Sequence, residues 1–264
     1  MARRRFYAPP EDINGPIVVL PTQETHHLMH VLRMTPGDEA FVFDGDGNEY
    51  RCTFRRVEDN RAELEIADSL TDVVESSLNL TLAQALAKGE KFDFIVQKAT
   101  ELGVNRIAPL ITRYADVRLD ENQKVSRTER WRRISLESMK QCGRRRLVEI
   151  TEPLSIYQLM SLVERSTKPG TERPDCSLLL FSERGGVGVT EALEEASVSR
   201  SVVALVGPEG GWSDDELEAL NDYGCTPVSL GPRIMRTETA ALVAITLIQH
   251  ALGDLSTSRP KEAN

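Results

Sequence analysis

Gly207-Pro208-Glu209-Gly210-Gly211-Trp212-Ser213 is the stretch that decides the fold of this chain. It follows an almost wholly aliphatic run at residues 201–206, which has the composition of a buried parallel strand. Three glycines within five residues let the backbone come close to a ligand and point N–H groups at it. The stretch therefore predicts a strand that ends in a binding loop.

A second loop of the same kind follows about twenty residues later, after a short apolar strand at residues 226–230. Between the two loops, Ser213 and Glu216 have the spacing of a capping box, and Gly224 suits the end of the helix that it starts. This order of strand, loop and helix brings both loops to one edge of a parallel sheet, where open α/β sheets bind ligands. The second loop reads Leu230-Gly231-Pro232-Arg233-Ile234-Met235-Arg236-Thr237-Glu238-Thr239-Ala240.

Two tight turns in an ordinary α/β domain are the alternative interpretation, since glycine and proline mark turns of many kinds. The polar residues that the loops carry favour a functional site over that alternative. They are Glu209, Arg233, Arg236, Thr237 and Glu238.

Together the two loops, GPEGGWS and LGPRIMRTETA, resemble the signature loops of the RsmE-type ribosomal RNA uridine methyltransferases of the SPOUT superfamily. The resemblance implies a C-terminal SPOUT α/β domain, in which a deep trefoil knot holds S-adenosylmethionine, after an N-terminal PUA-like β-barrel. It also implies cofactor contacts, mostly from the backbone, with Ile234 and Met235 against the adenine. The implied cofactor residues are Leu205, Val206, Gly207, Pro208, Glu209, Gly210, Gly211, Leu230, Gly231, Ile234, Met235, Arg236, Thr237, Thr239 and Ala240.

The implied reaction is methylation of N3 of a uridine in 16S ribosomal RNA. Methyl transfer to a ring nitrogen requires alignment, loss of the imide proton and stabilisation of the uracil anion. Arg236 is the candidate for the last task, because a fixed guanidinium can bind a uracil carbonyl oxygen as charge develops there. Glu209 or Glu238 then accepts the proton or orients the arginine. The alternative for each carboxylate is a structural ion pair.

The first seventy residues predict a β-rich module with strands at residues 17–20, 40–43, 50–57 and 62–66 and one helix capped by Thr22. His26, His27 and His30 lack a carboxylate or cysteine at matching spacing, so no metal site is predicted. The resemblance makes this module the RNA-presenting barrel, with contacts from Arg3, Arg4, Arg5 and Arg33. The predicted domains are residues 1–72 and 73–254, followed by a disordered tail at 255–264.

Charge is distributed unevenly along the chain, whose net charge is −9. Residues 124–146 hold nine lysines and arginines but two glutamates, and such a basic band favours phosphate binding. A solvated helix face is the alternative. Lys140 and Cys142 depart from the family pattern Glu-Gln-Ser-x-Arg at this place. With the resemblance, the further candidate RNA contacts are Lys88, Lys98, Arg130, Arg133, Gln141, Arg144 and Arg145.

Other features exclude some classes of protein. No apolar run approaches the roughly 20 residues of a membrane span, and residues 1–10, which lack an apolar core, are not expected to act as a secretory signal. The four cysteines are scattered, which favours reduced thiols in the cytoplasm and argues against zinc. The sequence contains neither of the glycine motifs with which nucleotide-binding enzymes hold phosphates, G-x-x-x-x-G-K-[ST] and G-x-G-x-x-G. A non-catalytic RNA-binding protein and a SPOUT enzyme that modifies another base stay open as alternatives.

A homodimer is predicted from the last helix. Leu242 and Ile245 lie off its main apolar stripe, and relatives in the family that the loops resemble pair through this domain.

Overall fold

The computed structural model describes residues 3–71, 74–115, 117–166 and 176–256. Contacts divide the chain into two compact units: Met1–Glu75 with Leu136–Leu147, and Ser76–Ser135 with Val148–Asn264. The predicted domain boundary at residues 72 and 73 falls outside the described residues, and so does most of the predicted tail. The return of residues 136–147 to the first unit is a feature that the sequence did not predict.

The first unit contains, in its described part, a six-stranded sheet with the order β1-β4-β5-β6-β3-β2. Every neighbouring pair is antiparallel except β1 with β4. The four predicted strands are confirmed as β3 to β6, and their inward side chains form one apolar cluster around Phe6, Leu28 and Leu64. The strands are β1 (Arg5–Tyr7), β2 (Ile13–Asn14), β3 (Ile17–Val19), β4 (Glu39–Phe43), β5 (Glu49–Glu58) and β6 (Arg61–Leu70).

A short helix, α1 (Thr22–His26), follows β3 and continues as one π-helical turn at His27–Val31. The prediction that Thr22 caps this helix is wrong by one residue. Pro21 holds the extended N-cap conformation, and Thr22 is already helical.

Buried ion pairs join residues 136–147 to the strands of the first unit. Glu49 accepts from Arg5 Nε at 2.6 Å and from Arg145 Nε at 2.9 Å, and all three side chains are buried. Glu75 in turn accepts from Arg144 at 2.9 Å. Buried charges of this kind need a partner, because an isolated one is costly. The carboxylates therefore determine where this arginine-rich segment lies.

The second unit is α/β, as predicted, and its described part contains a seven-stranded sheet with the order β11-β13-β10-β12-β7-β8-β9. All its neighbouring pairs are parallel. The strands are β7 (Asn79–Ala85), β8 (Arg106–Leu110), β9 (Glu149–Ile150), β10 (Cys176–Phe181), β11 (Val187–Gly188), β12 (Ser201–Val206) and β13 (Thr226–Ser229).

Helices alternate with these strands. Their bounds are α2 (Lys91–Glu101), α3 (Glu121–Cys142), α4 (Ile156–Ser166), α5 (Val189–Ala196), α6 (Asp214–Asp222) and α7 (Thr237–Leu252). The sequence predicts a basic helix at residues 125–141. Helix α3 starts four residues earlier, because Asp120 and Gln123 form reciprocal capping hydrogen bonds of 2.8 and 3.1 Å. The sequence also predicts a polar, proline-bearing surface loop at residues 167–175, and this stretch lies outside the described residues.

Three further observations concern the classes of site considered from the sequence. None of the described helices has the length and apolarity needed to cross a membrane. The described residues contain no group of three or more metal-ligating side chains. The four cysteines are free, and burial raises the pKa of the Cys52 and Cys225 thiols to about 12.

Candidate active site

The GPEGGWS loop leaves the sheet at the carboxyl end of β12. Gly211 N–H donates to the carbonyl of Pro208 at 3.0 Å, and Gly211 has a φ of +72°, which favours glycine. Trp212 is 1% exposed, and its indole N–H donates to the Phe181 carbonyl at 3.3 Å, at the end of β10. The loop is therefore a turn that a buried tryptophan anchors to the neighbouring strand.

The helix after this loop begins as predicted. Ser213 and Glu216 form the reciprocal capping box at the start of α6. Gly224, at the other end, has the left-handed φ of +75° that the prediction required. These contacts fix the direction in which the chain leaves the first loop.

One hydroxyl group joins the second loop to the first. Thr237 Oγ1 donates to the Gly207 carbonyl at 2.6 Å and accepts from Gln84 Nε2 at 2.9 Å. Gln84 is fully buried near the carboxyl end of β7, which pairs with β12 through Gln84 and Val206. The prediction that the two loops lie together at one sheet edge is confirmed.

The two carboxylates proposed from the sequence both face Lys91, the first residue of α2. Lys91 forms an ion pair with Glu209, and its Nζ lies 3.8 Å from Oε2 of Glu238. That Glu238 oxygen is buried and has no hydrogen-bond partner among the described residues. Sequence reasoning missed Lys91. The signal for it was topological, since the residues after β7 must lie beside the loop after β12.

Lys91 and Arg236 are close enough to affect each other. The hydrogen bond to Glu209 raises the pKa of Lys91, and the positive charge of Arg236 opposes that rise. Arg236 is exposed at the N-cap of α7, and within the described part of the chain its guanidinium has no ion-pair partner. The site thus combines a lysine that holds two acids with an arginine that stays available.

The other predicted cofactor residues follow the two loops. Leu205 and Val206 are buried in β12, whereas Ile234 is 87% exposed and Met235 is partly exposed. The adenine contact proposed for Ile234 and Met235 stays a prediction.

The predicted RNA-binding residues differ in exposure. Arg5, Arg144 and Arg145 are buried in the ion pairs of the first unit, which occupy their guanidinium groups. Lys98 is partly exposed and pairs with Glu101 at 2.8 Å. The exposed members are Arg3, Arg4, Arg33, Lys88, Arg130, Arg133 and Gln141.

Lys140 and Cys142, the two residues that depart from the family pattern, both make contacts near the end of α3. Lys140 forms ion pairs with Glu24 and, at 2.8 Å, with Glu137, and its side chain is buried. Cys142 Sγ lies 3.9 Å from the Met139 carbonyl, within the last turn of α3. Lys140 is therefore held by two acids within the first unit.

Comparison with known proteins agrees with this architecture. A family described as the RNA methyltransferase domain matches residues 74–249, and one described as the RNA methyltransferase PUA domain matches residues 20–67. These matches define the class as an RNA methyltransferase with an associated PUA domain.

Similar proteins identify the family within this class. The ribosomal RNA small subunit methyltransferase E of a Synechocystis strain is 34% identical over 94% of this chain and 78% of its own. The protein of that name from Buchnera aphidicola is 32% identical over 91% and 93%. The Neisseria gonorrhoeae protein of that name has a crystal structure with bound S-adenosyl methionine, and its sequence is 32% identical to this chain. The two structures superpose with a TM-score of 0.83 over 96% of this chain and 99% of the other. The chain therefore belongs to the ribosomal RNA small subunit methyltransferase E family.

Replacing Thr237 by valine tests the link between the loops. Valine keeps the shape but removes the hydroxyl, so the Gly207 carbonyl and the Gln84 amide lose a partner. We expect the free energy of unfolding to fall by about 1–3 kcal/mol in urea denaturation. Thr246→Val, at an exposed position of the same helix, should change it by less than about 0.5 kcal/mol. Equal stability of the two variants would show that the hydroxyl does not hold the loops.

Proposed function

We propose that the protein transfers a methyl group from S-adenosylmethionine to N3 of a uridine in 16S ribosomal RNA. The observation that carries this proposal is the hydrogen bond from Thr237 to Gly207, which brings the two signature loops together at the carboxyl edge of a parallel sheet. Membership of the family supports the RNA substrate, and the cofactor bound to the Neisseria relative supports the methyl donor.

The cofactor would be held mainly by backbone groups of the two loops, as the glycines of GPEGG allow a close approach. The charged side chains of the loops would then face the acceptor base. A trefoil knot through these loops stays a prediction from the resemblance.

Arg236 is the side chain that we assign to the acceptor base. Its guanidinium is exposed beside the first turn of α7, where the helix N-terminus adds a positive partial charge. When N3 loses its proton, negative charge spreads onto the uracil carbonyl oxygens, and a fixed guanidinium can stabilise it there. The contact becomes stronger in the transition state, so it should accelerate methyl transfer.

Lys91 gives the carboxylates a defined arrangement. One ammonium group lies against both Glu209 and Glu238, so the acids are held on the α2 side of the site. Either carboxylate can still receive the imide proton or orient a water that does so.

The Arg236→Ala variant should bind S-adenosylmethionine almost normally and methylate about 10²-fold more slowly or worse, the scale on which one preorganised donor acts. Arg236→Lys should restore little, because a point charge does not reproduce the planar fork. Calorimetry with the cofactor and single-turnover methylation of small ribosomal subunits, read by mass mapping of the RNA, measure the two effects.

Arg233→Ala is the matched control, since Arg233 is exposed in the same loop and carries the same charge. It should keep most of the activity. Near wild-type turnover of Arg236→Ala would remove Arg236 from the mechanism. Joint loss of cofactor affinity and thermal stability would instead show that it only orders the loop.

We propose that the exposed basic residues of α3 contact RNA phosphates. Arg133 is exposed, and Arg130 is exposed but pairs with Asp93 at 2.6 Å. Replacing both with alanine should flatten the salt dependence, reducing the magnitude of the negative slope of log affinity against log salt by roughly 0.7–0.9 per lost contact. Arg200→Ala, exposed just before β12 at the opposite sheet edge, should leave the slope unchanged. If the double variant had the same salt dependence as the wild type, the band would be a solvated helix face and not an RNA contact.

We also propose that the protein is a homodimer acting on the small ribosomal subunit, which implies a cytoplasmic location. Ile245 no longer supports the dimer, because it is buried inside the second unit. Leu242 is partly exposed, and Ile234 exposes most of its apolar surface at the candidate site. Light scattering at micromolar concentration should give twice the chain mass of 29.4 kDa, and a monomer would contradict the proposal.

A further inference from the structure

An open depression with basic and aromatic walls lies beside the GPEGG loop in the second unit. Its volume is about 730 Å³. Most of its wall comes from the segment after β8, and Gly210 contributes from the loop after β12. Both strands end at the same edge of the parallel sheet, separated there by β7. The lining residues are Arg113, Tyr114, Ala115, Arg118 and Gly210.

Tyr114 packs closely against Gly210 yet remains open to solvent. A Cβ placed on Gly210 would lie 2.9 Å from the Cβ of Tyr114 and 3.2 Å from its carbonyl oxygen, so only glycine permits this approach. The tyrosine is nevertheless 47% exposed. An aromatic side chain held at its base, with much of its surface uncovered, suits a stacking partner.

Glu216 fixes the segment that carries this tyrosine. One carboxylate oxygen accepts from the backbone N–H of Arg113 at 2.8 Å, while the other accepts from the backbone N–H of Ser213 at 2.9 Å. The capping residue of α6 thus ties the segment after β8 to the end of the GPEGGWS loop. Because this hydrogen bond already fixes the backbone of Arg113, a ligand that stacks on the adjacent Tyr114 loses little free energy in immobilising it.

Two guanidinium groups flank the tyrosine. Arg113 pairs with Asp215 at 2.9 Å, but both side chains are largely exposed, and such pairs contribute only about 0–1 kcal/mol. A phosphate can therefore compete for Arg113. Arg118 is exposed. It has no ion-pair partner among the residues that the structure describes, which do not include Asp116.

We propose that Tyr114 stacks on one unpaired base of the RNA substrate while Arg113 and Arg118 bind phosphates beside that base. The inference rests on the proposed function, which it deepens by naming a subsite for single-stranded RNA next to the methylated nucleotide. Stacking on an aromatic ring combined with cationic contacts to the backbone is the usual way in which proteins hold unpaired RNA. S-adenosylmethionine carries a single carboxylate and no phosphate, so two guanidinium groups fit the repeated phosphates of a nucleic acid better than the cofactor.

The test compares Tyr114→Leu, which keeps apolar bulk but loses the ring, with Tyr114→Phe, which keeps the ring. The probes are small ribosomal subunits from cells that lack the protein, in a binding assay and in single-turnover methylation. Tyr114→Leu should bind the subunits about 5- to 150-fold more weakly, the effect of losing one stacked base, and raise KM while the rate at saturation stays similar. Tyr114→Phe should behave like the wild type. Calorimetry should show the same S-adenosylmethionine affinity for all three proteins.

Three results would overturn the stacking site. Equal subunit affinity of the leucine and phenylalanine variants would show that the ring is not used. A selective loss of S-adenosylmethionine affinity in Tyr114→Leu would assign the ring to the cofactor, and a changed oligomeric mass would assign it to contact between copies. The proposed function itself is judged on the wild type alone. If the wild type leaves uridine N3 unmodified, that function fails, whereas methylation by the wild type with equal variants refutes only the stacking site.

Discussion

The candidate site depends on the two hydrogen bonds that the hydroxyl of Thr237 makes. It donates to the loop after β12 and accepts from Gln84 on β7, while its own backbone begins α7. Three parts of the chain that are distant in sequence therefore meet at one oxygen atom. Since Gln84 is fully buried, its amide has no water to replace this partner. The position of α7, and with it that of Arg236, follows from the contact.

Of the two basic residues near this junction, one contacts both acids and the other, among the described residues, contacts neither. Lys91 lies against both Glu209 and Glu238, whereas Arg236, on the same side of the sheet, is not engaged by either acid within the described part of the chain. If an acid paired with Arg236 instead, the guanidinium would already be neutralised before the uracil anion of the proposed reaction formed. A lysine that holds the acids elsewhere keeps the positive charge and the N-terminus of α7 directed at the same place.

Local signals predicted much of this fold. The strand at 201–206 has its predicted bounds, and Ser213 and Glu216 form the predicted capping box, because such patterns act over a few residues. Long-range contacts were not predictable in this way. Lys91 reaches Glu209 across 118 positions, and Arg145 reaches Glu49 across 96, and neither pairing leaves a local pattern. The early start of α3 was predictable in principle, since Asp120 and Gln123 have the capping spacing.

The basic band shows why charge counts overestimate nucleic-acid contacts. Counterion release counts only cations that can reach a phosphate. In the band, Lys140, Arg144 and Arg145 have buried side chains paired with Glu24, Glu75 and Glu49. An unpaired charge in those positions would be costly, so these three side chains are held by acids of the first unit. The nine cations of the band therefore look alike in sequence but differ in exposure: these three are buried in ion pairs, whereas Arg130, Arg132 and Arg133 are exposed on α3. What separates them is the presence of acids elsewhere in the chain that come to lie opposite the band.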